Sequence, residues 1–290
     1  MIIKKYRSLN ETTMSEVLDL EKDCNDYDEL RGSVFLDTSL NFNQMIQSIF
    51  LLYEGRMLIS MLSMFIPSHQ EVEISAMTRP EYRKRGYFKA LLFQAVEELC
   101  LHNISDILFV CERPSDSGKQ VLNRLQAVFE HSEYYMSLNR GGKADIENQR
   151  LVLSKSTLRD LETIIQLSCK IFDDNDEDAR SLIENCLNSE SRDQYLAILG
   201  DKPMGMVSVN HLSDEEASIF GLGILPEYRS FGYGKELLGL ILKDLWRLGK
   251  QQITLEVDSE NDRAFALYQR MGFRIEVAYD YYRKQVSDFC

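Results

Sequence analysis

The sequence predicts an α/β chain of two tandem domains, each a mixed β-sheet with helices on both faces. Three observations carry that prediction. At 290 residues the chain exceeds one ordinary domain of about 100–200 residues. The tetrapeptide Pro-Glu-Tyr-Arg occurs at Pro80–Arg83 and again at Pro226–Arg229, an offset of 146 residues. In each half, short period-two segments give way to strands alternating with amphipathic helical patterns.

The offset holds well beyond the tetrapeptide. Without a gap it pairs Gly86-Tyr87 with Gly232-Tyr233, Lys89 with Lys235, Leu91-Leu92 with Leu237-Leu238, Ile107 with Ile253 and Arg124 with Arg270. A repeat of this length is a duplicated domain. The expected division is therefore residues 1–138, a linker at 139–149 marked by Gly141-Gly142 and mixed charge, and residues 150–290.

In the second copy a short strand at 151–153 precedes a helix capped at Thr157 or Asp160. That helix runs to about Phe172, with Leu161, Ile164, Ile165 and Leu167 at helical spacing. A second helix is expected over 178–188, then strands at 195–199, 205–210 and 217–225, the first two joined by a turn at Gly200–Pro203. A long helix over 234–248, a strand over 253–257, a helix over 262–271 and a closing strand after Gly272 complete it. The first copy reads in parallel: a strand at 2–7, helices within 13–47, and strands at 49–53, 57–65 and 72–77. A helix over 88–102, a strand over 107–111 and a helix over 118–129 follow.

Composition narrows the function. With 33 basic and 46 acidic residues the net charge is −13, which repels nucleic-acid phosphates and favours cationic partners. The apolar run 49–66 is cut by Glu54, Gly55 and Arg56, so neither secretion nor membrane insertion is expected. The six cysteines share no C-x-x-C spacing and the four histidines no ligand spacing. Reduced thiols of a cytoplasmic protein without a bound metal are expected.

Chemistry concentrates in Leu222–Lys235. A strand ends, Pro226 turns the chain, and Arg229-x-x-Gly232-x-Gly234 opens a helix whose first amides have no internal acceptor. Those amides and the positive end of the helix dipole form a seat for an anion, which the two glycines let approach the backbone. The segment lacks G-x-x-x-x-G-K-[ST], and G-x-G-x-x-G fails at Leu237.

Downstream, Asn261-x-x-Ala264-x-x-Leu267-Tyr268-x-x-x-Gly272-Phe273 completes a pair of motifs that resembles the GNAT superfamily of N-acetyltransferases, in order and in spacing. The resemblance implies acetyl-coenzyme A as co-substrate, without a metal. Its pyrophosphate would lie on the backbone of the Arg229 loop, at Ser230, Phe231, Gly232, Tyr233, Gly234 and Lys235. Its pantetheine arm would run beside Leu222, Gly223 and Ile224, where Gly223 suits a bulge that splays the strand from its neighbour. Asn261 would bond the pantetheine or hold the local backbone, and an ordinary helix N-cap is an equal reading. Tyr268 stands at the family's general-acid position; a buried core tyrosine is the alternative. Ile253, Leu255 and Val257 share one strand face, so Glu256 and Thr254 take the other. Leu-Glu-Val twelve residues before the tyrosine is similar to the bacterial enzymes that acetylate the N-terminal alanine of a ribosomal protein. Glu256 is thus a candidate base acting through water or after burial raises its pKa, or else a plain surface carboxylate.

The acidic run Asp173–Asp178 could attract a cationic amine or simply favour the next helix N-terminus; as a calcium loop it lacks glycine at position six. The first copy keeps Arg83-Lys84-Arg85-Gly86 but places Phe88 opposite Gly234, Val110 opposite Glu256, Ser115 opposite Asn261 and Leu122 opposite Tyr268. The resemblance therefore implies an active second copy and a degenerate first, a layout similar to that of mycothiol synthase. Transfer of acetyl to a primary amine by direct attack is the function expected, with a small molecule or a protein N-terminus as acceptor. The alternative is a non-catalytic acyl-coenzyme A sensor or scaffold built from two such folds.

Overall fold

A computed structural model of the chain describes residues 1–141 and 149–289. It divides into two compact units, Met1–Ser132 with Val277–Cys290, and Glu133–Glu276. Most of the expected linker, residues 142–148, lies outside the described residues.

The first copy supplies β1 (Ile2–Tyr6), α1 (Glu11–Asp28), β2 (Ile49–Glu54), β3 (Met57–Phe65), β4 (Glu71–Thr78), α2 (Tyr87–Leu101), β5 (Asp106–Glu112), α3 (Asp116–Leu125) and β6 (Val128–Asn139). The second supplies β7 (Leu151–Lys155), α4 (Leu161–Phe172), α5 (Asp176–Leu187), β8 (Arg192–Leu199), β9 (Lys202–His211), β10 (Glu216–Ile224), α6 (Tyr233–Arg247), β11 (Gln252–Asp258), α7 (Asp262–Met271) and β12 (Arg274–Gln285). From α2 and α6 onward the two sets of boundaries coincide at the 146-residue offset. So do the backbone specials: Lys84 and Ser230 have φ of 62° and 69°, and Gly86 and Gly232 both have 86°.

In the first unit the strand order is β1-β2-β3-β4-β5-β12, antiparallel except for β4 beside β5. In the second it is β7-β8-β9-β10-β11-β6, antiparallel except for β10 beside β11. Each sheet is thus mixed, as the sequence predicts, with one helical crossover joining the parallel pair. The alternation along β2 shows both faces of the first sheet in use. Ile49, Leu51 and Tyr53 pack with Val17, Leu20 and Cys24 of α1, while Phe50 and Leu52 pack with Leu91, Leu92 and Ala95 of α2. Burial on both faces is why β2 reads as an unbroken apolar run.

The units are cut differently from the division 1–138 and 150–290. Residues 133–139 of β6 pair with β11, and residues 279–285 of β12 pair with β5. The closing strand of each sheet therefore comes from the other copy's chain, an exchange that is sterically easy because the two strands are equivalent elements of one repeat.

Two helix boundaries also differ from expectation. The helix expected over 118–129 ends at Leu125, because Gln126 takes the left-handed conformation (φ 55°) and its N–H caps Asn123 and Leu122; β6 then begins at Val128. Gly272 does the same in the second copy, where glycine announces the stop. The helix expected from 178 starts at Asp176, with Asn175 as its cap accepting from the Asp178 N–H at 2.9 Å. Asp176, Glu177 and Asp178 occupy its first turn, where the dipole favours them. No cluster of three metal-ligating side chains occurs among the described residues.

Candidate active site

The site is built where β10 and β11 part. Their parallel ladder runs from Glu216 opposite Gln252 to Ile219 opposite Leu255 and then stops. At that point β10 gains a bulge against β9: Phe220 lies opposite Ser208 and Gly223 opposite Met206, so three steps on one strand match two on the other. The extra residue is absorbed at Gly221, whose φ of 56° suits glycine. The bulge expected at Gly223 is thus present, but its left-handed residue is Gly221. Gly223 is needed for a different reason: a Cβ there would lie 2.2 Å from Ile171 Cγ2 and 2.8 Å from Phe172 Cζ, so its lack of a side chain lets α4 approach β10. Beyond Ile219, the edge of β10 that faced β11 carries no ladder, leaving backbone groups open to an extended partner.

The opened strand leads into the anion seat. Pro226–Tyr228 form a single 3₁₀ turn, Ser230 and Gly232 take positive φ, and α6 starts at Tyr233. The amides of its first turn have no intrahelical acceptor. Arg229 is committed elsewhere: its Nε donates to Ile224 O at 3.0 Å and its Nη2 to Ile171 O at 2.9 Å. It ties the loop to β10 and α4 rather than presenting a free guanidinium. Gly234 is crowded by nothing closer than Leu267 Cδ2, 3.8 Å from an added Cβ. The protein's own packing therefore does not require that glycine, and its small size is available to a ligand.

Asn261 caps α7, its Oδ1 accepting from the Ala264 N–H at 3.1 Å. Ser115 caps α3 in the same way, accepting from Gly118 N at 3.2 Å. Tyr268, on α7, is 7% exposed and packs edge-on against Phe273 at 5.9 Å. Its hydroxyl has no hydrogen-bond partner among the described residues, and burial pushes its pKa up to about 12.

Ile253, Leu255 and Val257 are buried in the core, and Glu256 faces the other way, as the alternation predicts. Glu256 lies opposite Tyr135 in the β11–β6 ladder, with Glu133 two residues along the same face. The surrounding protein pushes its carboxyl up to about 7, and the Glu133 carboxylate adds to the rise. Its side chain nevertheless reaches water. A carboxyl raised toward neutrality and reachable by water has the properties of a base that can be delivered to a substrate. Sequence reasoning names Glu256 but misses Tyr135 and Glu133, which arrive on a strand from the first copy's half of the chain.

The first unit has the same splay, since β4 and β5 pair only from Glu71–Asp106 to Ile74–Phe109, but β4 runs without a bulge against β3 from Ser60–Thr78 to Phe65–Glu73. Its Arg83 repeats the tie of Arg229, Nε to Thr78 O at 3.0 Å, and adds a fork to Asp28. A chain segment is fastened at the ends of its strands, where Glu112 accepts from Gly32 N at 2.9 Å and the Tyr279 hydroxyl accepts from Ser33 N at 3.1 Å.

Comparison with known proteins places these features. Residues 160–273 match the model of the acetyltransferase (GNAT) family. The chain is 39% identical over 71 residues to a ribosomal protein bS18 alanine N-acetyltransferase of Haemophilus influenzae, and 33% identical over 85 residues to a mycothiol acetyltransferase of Corynebacterium efficiens. These stretches cover 24% and 29% of this chain, and 48% and 29% of those relatives. Among solved structures, a GCN5-related N-acetyltransferase from Sphaerobacter thermophilus matches 98% of this chain and 95% of its own, with a TM-score of 0.76 at 14% identity. A tandem GNAT protein from the clavulanic acid biosynthesis pathway matches 98% of both chains, with a TM-score of 0.72 at 14% identity. The chain thus has the fold of tandem GNAT proteins, and its residues 160–273 are similar to the acetyltransferase (GNAT) family.

Proposed function

We propose that the chain is an acetyl-coenzyme A-dependent N-acetyltransferase that acetylates a primary amine by direct attack, with its active site in the second unit. The observation that carries the reading is the continuity between the bulged, ladder-free edge of β10 and the glycine-lined start of α6. That geometry fits a ligand with an extended amide-bearing arm and a pyrophosphate, and the donor supplies an acetyl group activated as a thioester. Leu222, Gly223 and Ile224 would hold the arm, and the backbone of residues 230–235 the pyrophosphate.

The remaining work falls to two side chains. An attacking amine must be neutral, and Glu256, with its carboxyl raised to about 7, is matched to accept a proton from an ammonium through water near neutral pH. The departing thiolate needs a proton, and Tyr268 brings an unpartnered hydroxyl from α7. Burial holds that phenol in its protonated form, so it is always loaded as a donor. The relatives' names suggest two acceptor classes, a protein N-terminus and a small amino compound, and the charge of −13 favours a cationic one. Lacking the bulge and any side chain equivalent to Glu256 or Tyr268, the first unit has no part in the chemistry in this reading. Cys24, Cys111, Cys169 and Cys186 are free thiols, which suits a reducing, cytoplasmic location, and no described helix is long and apolar enough to cross a membrane.

The test is an acceptor screen with isotopically labelled acetyl-coenzyme A, read by mass spectrometry over peptides with free N-termini, aminoglycosides and polyamines. Label transferred to an amine is expected. Saturable binding of the donor with no transfer to any amine would favour a sensor over an enzyme.

A further inference from the structure

Glu236 lies in the first turn of α6 and is 5% exposed, a buried carboxylate at the helix end that would receive a phosphate. Its Oε1 accepts from the backbone N–H groups of Arg150 and Leu151 at 2.5 and 2.6 Å, and its Oε2 from Arg150 Nε at 3.0 Å. The start of β7 is thereby fastened to the start of α6. Arg150 then reaches back over the loop. Its guanidinium lies 4.1 Å from the centre of the Tyr233 ring, and its Nη2 donates to Phe231 O at 3.1 Å.

Two consequences follow. In a planar trans peptide the C=O and the following N–H point in opposite directions, so a carbonyl of Phe231 held by Arg150 fixes the direction of the Gly232 N–H. The Arg150 charge also cancels that of Glu236, which would otherwise repel any anion brought to this helix end. The first copy lacks the device: Ala90 stands 146 residues before Glu236, Lys4, 146 before Arg150, lies over the Tyr53 ring, and Tyr87, the counterpart of Tyr233, gives its hydroxyl to Glu54.

We propose that Arg150 is a positioning residue of the phosphate loop, setting affinity for the pyrophosphate portion of the acyl donor and not for its pantetheine portion. This rests on the reading of the second unit as an acetyl-coenzyme A site. The account assigns Arg150 no contact with the reacting atoms; it acts through the Phe231–Gly232 peptide and through Glu236.

Calorimetric titration of the full chain with coenzyme A, beside ligand-observed NMR with pantetheine, separates the two portions. Arg150→Ala is expected to weaken coenzyme A about 10- to 100-fold, the size of one lost charge-assisted hydrogen bond, and to leave pantetheine affinity unchanged. Arg150→Lys restores the charge without the fork and should recover part of the loss, which keeps the proposal testable if the alanine variant does not fold. In turnover, KM for acetyl-coenzyme A rises and kcat at saturation holds. Equal weakening of both ligands, or undiminished coenzyme A affinity in both variants, overturns the proposal. A wild-type chain that binds neither ligand instead overturns the reading of the site itself.

Discussion

Removing the Glu256 carboxylate should change the shape of the pH profile as well as the rate. With its carboxyl at about 7, Glu256 is half ionised at neutrality, about one-tenth ionised at pH 6 and about one-hundredth at pH 5. A peptide α-amine of pKa about 8 is itself mostly protonated there. Because the ionised carboxylate takes its proton from the ammonium, wild-type log kcat/KM should be level between about pH 8 and about 7 and fall with a slope of one below about 7. Glu256→Gln, which must await an amine already neutral, should lose that plateau, fall with a slope of one from about pH 8 downward and lie about 10²- to 10⁴-fold lower, the range of a positioned base. Glu133→Gln should move the steep limb to lower pH, because a neighbouring negative charge that resists ionisation is gone. The assay is coenzyme A release monitored continuously with a thiol reagent at saturating acetyl-coenzyme A and varied acceptor. Parallel wild-type and Glu256→Gln profiles would refute the assignment of the base. Stability carries the same signature. The unfolded carboxyl ionises near its ordinary 4.5, so the stabilising contribution of the raised native pKa is whole below 4.5 and gone by about 7. The gap in stability between the wild type and Glu256→Gln should shift across that window.

Further substitutions test the scaffold. Gly223→Ala places a methyl 2.2 Å from Ile171 Cγ2, so denaturant unfolding should show a loss of about 1–3 kcal/mol as α4 is pushed off β10; a neutral result would mean that the helix yields freely. Asn261→Ala removes the cap of α7 and should cost about 1 kcal/mol, while Asn261→Ser should recover most of it. If serine restores stability but not coenzyme A affinity, Asn261 also touches the donor.

The repeat made most of this fold legible, because a shared 146-residue offset carries both the elements and their turn geometry. Where the copies differ in residue type at one structural role, the signal failed. Gly272 and Gln126 both stop a helix in the left-handed conformation, but only the glycine advertises it, so the first copy's helix reads as too long and β6 goes unread. The exchange of β6 and β12 has no local signature at all, since equivalent strands carry equivalent patterns. Glu256 and Tyr268 are visible through motif and alternation. The neighbours that set the Glu256 carboxyl are not, because Tyr135 and Glu133 meet it through a pairing about 120 residues away in sequence. Arg229 was legible as a loop residue but not as a tie to Ile224 and Ile171, a role set by tertiary contact.

The most direct measurement compares the wild type with Tyr268→Phe for coenzyme A affinity and for acetyl transfer to the best amine of the screen. Equal affinity with turnover reduced by at least about 10²-fold is the outcome expected of a lost general acid in the second unit. Unchanged turnover in the phenylalanine variant would contradict the account of where and how this chain does its chemistry.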